Sequence, residues 1–237
     1  MSDTRVIAIE TSSRRGSVAL GAGPRLVAAY EFSADQQHAV ELLPTIARAC
    51  DAAGWERATI GAVLVSIGPG SFTGLRVAVT AARHLALALG ARVVAVPSLA
   101  VIADNARLAR DPPPRVAVIL DAKRRQVYAQ EFARGADGWS ACGEPELVDA
   151  AEFLGRCAPG VSVTGEGVGY HRAAVAAAGV AVLDEALHLP RAESVHRLGW
   201  ALLARGATTP AGALTPQYIR RPEAEELWER RHGAASA

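Results

Sequence analysis

VIAIETSSRRGSVAL, residues Val6 to Leu20, is an apolar run that ends on an acidic residue, turns through polar residues and a glycine, and resumes as a second apolar run. Short apolar runs flanked by turn-forming residues read as paired strands. The same pattern returns at VAVILDAKRRQVYAQEF, Val116 to Phe132. Two copies of a strand, an acidic turn and a strand in one chain predict two related units, and the residues around each copy extend the parallel.

After the first copy, Gly23-Pro24 forms a turn and LVAAYEF (Leu26 to Phe32) supplies a third antiparallel strand. In QHAVELLPTIARACDAAG, Val40, Leu43, Ile46, Ala47 and Cys50 recur at helical spacing and the pattern stops at Gly54. Pro44 is expected to kink this helix or mark a late start. AVLVSIGPGSFTG then passes from a buried strand into a glycine-rich loop, with Ser71 or Thr73 placed to cap the helix LRVAVTAARHLALALG. A strand VVAVP and a helix from Ser98 complete an α/β unit with parallel pairing after the initial meander.

Asp111-Pro112-Pro113-Pro114 marks a boundary. Beyond the second copy, VSVTGEG, the helix YHRAAVAAAG, the strand VAVLD and the helix ESVHRLGWALLARG make a smaller, degenerate version of the first unit. The expected division is residues 1–110, residues 115–221, and a tail at 222–237. A Glu226–Arg230 pair could support a short helix in that tail, which is otherwise disordered or docked.

Composition narrows the function. The chain has 237 residues, half of them hydrophobic, with 25 Lys and Arg against 24 Asp and Glu. That length supports a sizeable core. A net charge of +1 excludes a uniformly basic nucleic-acid binder and leaves only a local patch. Apolar stretches fall short of the ~20 residues that a spanning helix needs, and the N-terminus begins with a strand-like run, so a cytoplasmic protein is expected. Cys50, Cys142 and Cys157 are far apart and never in C-x-x-C spacing, which suggests small core residues rather than disulfides or a zinc site.

Glu10, Thr11, Ser12 and Ser13 at the first turn have the parts to point backbone N–H groups at a phosphate while the carboxylate holds a metal-bound water. They could equally form a polar hairpin tip with nothing bound. The second turn, Asp121 followed by Ala122, Lys123, Arg124 and Arg125, has no glycine to let a phosphate reach the backbone; its charge could attract phosphate or be solvated. GPGSFTGLR (Gly68 to Arg76) lacks the lysine of a P-loop, and TGEGVGY (Thr164 to Tyr170) is a turn or the relic of an adenine-packing loop. No metal site is expected: His38 has Leu42 where an H-x-x-x-H pair needs its second histidine, and no H-E-x-x-H or G-x-S-x-G occurs. On the helix after the glycine loop, Arg76, Thr80, Arg83 and His84 form one polar stripe and nearly everything else is Leu, Val or Ala. The apolar face is wider than the ~100° of a one-sided surface helix.

Taken together, VIAIETSS, SVALG, QHAVELLPTI, VSIGPGSFTGLRV, VPSLAVIA, LDAKRRQVYAQEF, TGEG and TPQYIR resemble the TsaB (YeaZ) family of bacterial tRNA threonylcarbamoyladenosine biosynthesis. The resemblance implies a two-lobed actin/Hsp70/sugar-kinase-like (ASKHA) α/β fold with a degenerate second lobe. It also implies a non-catalytic subunit that pairs with TsaD, is joined by TsaE, and forms a homodimer when TsaD is absent, with tRNA contact mostly indirect. In that reading no cofactor is needed, residual ATP and Mg²⁺ binding at Glu10 to Ser13 being the exception. The interface would be built from His38, Leu42, Leu43 and Ile46 on one helix and Arg76, Val79, Thr80, Ala82, Arg83 and Leu87 on the next. The alternative is an ATP- or metal-dependent enzyme, a nucleotide hydrolase or glycoprotease-like peptidase, working through the Glu10 loop. Direct tRNA contact through Lys123, Arg124, Arg125, Arg220 and Arg221 is a third possibility.

Overall fold

Val6 and Ala8 point to one face of the first strand, Ile7 and Ile9 to the other, and all four are fully buried. A strand buried on both faces must lie inside a layered structure. The computed structural model, which describes residues 3–33 and 37–220, shows those layers. β1 (Arg5–Glu10), β2 (Ser17–Ala22) and β3 (Arg25–Glu31) form an antiparallel meander. α1 (His38–Ala52), β4 (Ile60–Ser66), α2 (Phe72–Leu89), β5 (Arg92–Val96) and α3 (Ser98–Asn105) follow, giving a sheet of order β3-β2-β1-β4-β5 in which β1, β4 and β5 are parallel.

The second sheet repeats that order. β6 (Arg115–Asp121), β7 (Gln126–Gly135) and β8 (Gly138–Ala141) form the meander, and β9 (Glu146–Asp149) pairs with β7. After α4 (Ala150–Gly155) come β10 (Ser162–Thr164), α5 (Gly167–Tyr170), α6 (Arg172–Ala178) and β11 (Ala181–Val182), giving β8-β7-β6-β10-β11. The two sheets thus share one topology, meander first and parallel strands added beyond the first strand. This is the two-lobed ASKHA-like arrangement, with the second lobe reduced to very short strands at its far edge.

Five layers result. α1 and α2 cover the Ile7 and Ile9 face of the first sheet. On its Val6 and Ala8 face lies α7 (Ala192–Ala204), through Ala192, Val195 and Leu203. α3 sits between the sheets, with Leu99, Ile102 and Ala103 against Val116, Val118 and Leu120. α4 and α6 close the outer face of the second sheet. Gly199 brings α7 close: a Cβ there would lie 2.9 Å from that of Leu64. Buried Asp104 on α3 pairs with Arg197 of α7, and buried Asn105 donates to the carbonyls of Leu187 and Leu189 while accepting from Ser194. The span 115–221 therefore holds both the second sheet and a helix that returns to the first.

Some local details differ from expectation. α1 runs unbroken through Pro44, which lies on its exposed side, where the unmatched carbonyl one turn back can turn to water. Of the cysteines only Cys50 is a core residue. Cys142 is exposed and Cys157 half-buried, the latter with its thiol pushed up to about 11 by burial. Tail positions 222–237, and Arg221, lie outside the described residues. Among the described residues no helix is long and apolar enough to cross a membrane.

Candidate functional site

The loop after β1 is closed by the chain itself. Glu10, Thr11, Ser12 and Ser13 are all buried, with Glu10 and Thr11 at 0% exposure. The glycine-rich loop lies directly on them: the Ser71 N–H donates to the Ser12 carbonyl at 2.7 Å, and the Thr11 hydroxyl donates to the Gly74 carbonyl at 2.7 Å. Backbones meet so closely that only glycine fits. A Cβ on Gly70 would stand 2.2 Å from the Ser12 carbonyl oxygen, and one on Gly74 would stand 1.9 Å from that of Thr11. Ser71 caps α2 by accepting from the Gly74 N–H, so a hydroxyl of the chain already occupies part of the helix N-terminus that a phosphate would use.

Glu10 turns inward. Its Oε1 accepts from the Ser12 N–H at 2.5 Å, while Glu10 Oε2 and the Ser12 hydroxyl are buried with no hydrogen-bond partner among the described residues. Burial pushes the Glu10 carboxyl up from its ordinary value, with the nearby hydroxyls of Ser12 and Ser66 and then the Ser12 N–H opposing it. A carboxyl that burial makes harder to ionise ties stability to pH. In the unfolded chain it ionises near 4.5, so stability falls as pH rises from there through the raised folded value and then levels off. Glu10→Gln removes that slope. Thermal melts from pH 4.5 upward are expected to show the variant gaining on the parent by up to about 1.4 kcal/mol per pH unit within the window. A gap that stays constant with pH would mean that Glu10 is charged in the folded chain.

His38 is a structural residue: its Nε2 donates to the Ser13 carbonyl at 2.9 Å and its ring lies 5.8 Å from that of Phe32. Leu42, one turn on, is buried in the first core. Among the described residues no group of three or more His, Cys, Asp and Glu side chains is placed to share a metal.

The second turn is built differently. Lys123, Arg124 and Arg125 are exposed, and Asp121 before them accepts from or pairs with His171 Nε2 at 3.0 Å. Gly165 and Gly167 press on the Ile119 carbonyl, where added Cβ atoms would stand 2.3 and 2.8 Å away. TGEG is therefore a packing turn for the second sheet.

The outer face of α1 and α2 is the remaining candidate. Val40 (69% exposed) and Leu43 (56%) on α1 and Leu87 (71%) on α2 stand out in water, as does Pro44. Arg76, Thr80 and His84 run between them along α2, with Arg83 half-buried beside them, as the polar stripe predicts. Half of the expected interface residues lie elsewhere. His38, Leu42, Ile46, Val79 and Ala82 are at most 5% exposed and face their own sheet, so they support the helices from beneath and cannot touch another chain. Phe72, Arg76 and Tyr218 form a further group, one that spans distant parts of the sequence. The Arg76 guanidinium stacks 3.8 Å over the Phe72 ring and donates to the Tyr218 hydroxyl, and the two rings are 5.3 Å apart. The aromatic at 72 and arginine at 76, one helical turn apart, were the available signal.

A two-lobed ASKHA-like chain whose first acidic turn is covered by its own glycine-rich loop, and whose outer helices expose apolar side chains, is the class that fold and site define. A family profile described as "TsaD: tRNA N6-adenosine threonylcarbamoyltransferase" matches residues 32–228. The tRNA threonylcarbamoyladenosine biosynthesis protein TsaB of Escherichia coli K12 is 28% identical over 222 residues, covering 91% of this chain and 94% of that protein. An uncharacterized protein of Mycobacterium tuberculosis is 34% identical over 190 residues, 80% and 78% of the two chains. The solved structure of YeaZ from Pseudomonas aeruginosa superposes with a TM-score of 0.78 at 28% identity, over 91% of this chain and 99% of that one. The chain belongs to this family of tRNA-modification proteins, in its TsaB (YeaZ) branch.

Proposed function

We propose that the chain is a non-catalytic subunit of cytoplasmic tRNA threonylcarbamoyladenosine synthesis. It docks on TsaD through the exposed side of α1 and α2, is joined by TsaE, and supports transfer of threonylcarbamoyl to the tRNA adenosine next to the anticodon. A second copy takes the same face when TsaD is absent. The observation that supports this most is the exposed Val40, Leu43 and Leu87 on two helices that are fully packed on their other side. Large apolar side chains exposed along two neighbouring helices mark a surface that another protein covers. The sealed Glu10 loop argues against the enzyme reading, because its Ser12 N–H is taken by Glu10 while the Ser12 carbonyl and the Thr11 hydroxyl are tied to the glycine-rich loop. As folding units we propose residues 3–110 together with 192–220, and residues 115–190.

Co-purification with TsaD and TsaE of the same organism, with and without ATP, tests the reading. A stable complex with TsaD is expected, and its absence at micromolar concentrations overturns the proposal. Calorimetry of the isolated chain with ATP and Mg²⁺ is expected to give no heat of binding; tight binding lost in Glu10→Ala would restore the enzyme reading.

A further inference from the structure

The hairpin from β6 to β7 turns through three consecutive non-glycine residues at positive φ: Lys123 at 61°, Arg124 at 54° and Arg125 at 65°. Side chains with a Cβ are disfavoured in left-handed backbone, and hairpin tips ordinarily place Asn or Gly there. Such strain persists where surrounding structure holds it, and it clusters at sites that use the geometry. Here the surroundings come from the other lobe. Leu214 is buried in the first core, the Gln217 N–H donates to the Ile67 carbonyl at 2.7 Å, and the chain then crosses to the hairpin. Its Arg220 guanidinium donates to the Ala122 carbonyl and the Gln126 side chain, one on each foot of the turn. Two residues earlier Tyr218, 38% exposed, stacks beside Phe72.

We propose that this strap and hairpin form a contact surface for RNA, with Lys123, Arg124 and Arg125 meeting successive backbone phosphates and Tyr218 offering a ring to a base. With a net charge of +1, attraction to RNA must come from a local concentration of cations, and the hairpin tip presents three in a row. Among the described residues, acidic groups at its edge include Asp149, 3.9 Å from Arg125, and Asp121, already engaged by His171. A nucleoside triphosphate fits the surface less well. It needs enclosure by backbone N–H groups, which this open turn does not supply, and at the other hairpin the Ser12 N–H is already taken by Glu10. A phosphodiester chain needs only an open row of cations with an aromatic beside it. The proposal rests on the tRNA-modification reading for its choice of RNA, and on the geometry alone for the surface.

Lys123 is the only lysine in the chain, so an amine-acylating reagent marks it and the N-terminal amine alone. Mass spectrometry of the full chain labelled with and without an unmodified tRNA transcript is expected to show about fivefold protection of Lys123, lost at high salt, with the N-terminus unaffected. ATP with Mg²⁺ at equal phosphate concentration is expected to protect nothing. The triple variant Lys123→Asn, Arg124→Gly, Arg125→Gly supplies residues suited to positive φ while removing the charge. It should keep its melting temperature and its complex with TsaD, yet bind tRNA about tenfold more weakly, with the slope of log K on log salt reduced by about 2. Unchanged labelling, unchanged tRNA affinity in the triple variant, or protection by ATP overturns the RNA surface. Loss of the TsaD complex in the parent chain would instead overturn the assembly reading.

Discussion

Leu43→Asp and Leu87→Glu are expected to leave the chain folded and to cost it its partner, whereas Val79→Glu and Ala82→Glu are expected to unfold it. Leu43 and Leu87 are 56% and 71% exposed, and charged substitutions at such positions ordinarily change stability by less than about 0.5 kcal/mol. In an interface the same charges would be buried against apolar groups, costing about 2 kcal/mol or more each, roughly a 30-fold loss of affinity for TsaD. Val79 and Ala82 lie on the same helix as Leu87 but pack in the core with Ile7, Ile9 and Val63. An unpaired charge there costs about 3–5 kcal/mol, a large part of a domain's whole stability. Melting curves and heterodimer titrations on the four variants separate the two effects. Normal TsaD affinity in Leu43→Asp and Leu87→Glu would remove α1 and α2 from the interface.

Gly74→Ala should be strongly damaging for the addition of a single methyl group. The added Cβ would stand 1.9 Å from the Thr11 carbonyl oxygen, backbone against backbone, where no side-chain rotation relieves the overlap. The glycine-rich loop must lift, breaking the Thr11-to-Gly74 and Ser71-to-Ser12 hydrogen bonds and exposing Glu10. Overpacking with the lost bonds amounts to about 3 kcal/mol or more, a drop of roughly 6–12 °C in melting temperature for a chain of this size. Gly90→Ala is the comparison: it sits at φ 62° with nothing within 4 Å of the new Cβ, and only the conformational cost of about 1 kcal/mol applies. Equal melting temperatures for the two variants would mean that the loop does not seal against Thr11.

The repeated strand-turn-strand pattern was readable because side-chain alternation and turn residues are local, and both sheets form where that pattern places them. The burial of Glu10 was not, since an acidic residue at a strand end looks the same whether it faces solvent or the underside of a loop sixty residues away. The apolar spacing of α1 and α2 located the helices but not their outward sides. A helix apolar over more than about 100° offers more than one stripe to its sheet, and only packing shows that Val79 and Ala82 go inward while Leu87 goes out. The polar stripe Arg76, Thr80, His84 was the better guide, because charged groups settle toward water. Contacts between distant segments, Arg76 with Tyr218 and Arg220 with Gln126, leave no periodic trace and had to be seen.

The return of α7 to the first sheet also has a meaning during protein synthesis. Val6, Ala8, Ala19 and Leu64 belong to one face of that sheet, and the residues that cover it, Ala192, Val195 and Leu203, are translated long after it. At roughly 5–20 residues per second, the N-terminal strands wait on the order of 10–40 s with an apolar surface uncovered. The lobe made first is thus the lobe completed last, and a nascent chain stalled before residue 192 would present to chaperones and proteases a sheet that can bury only one of its two sides.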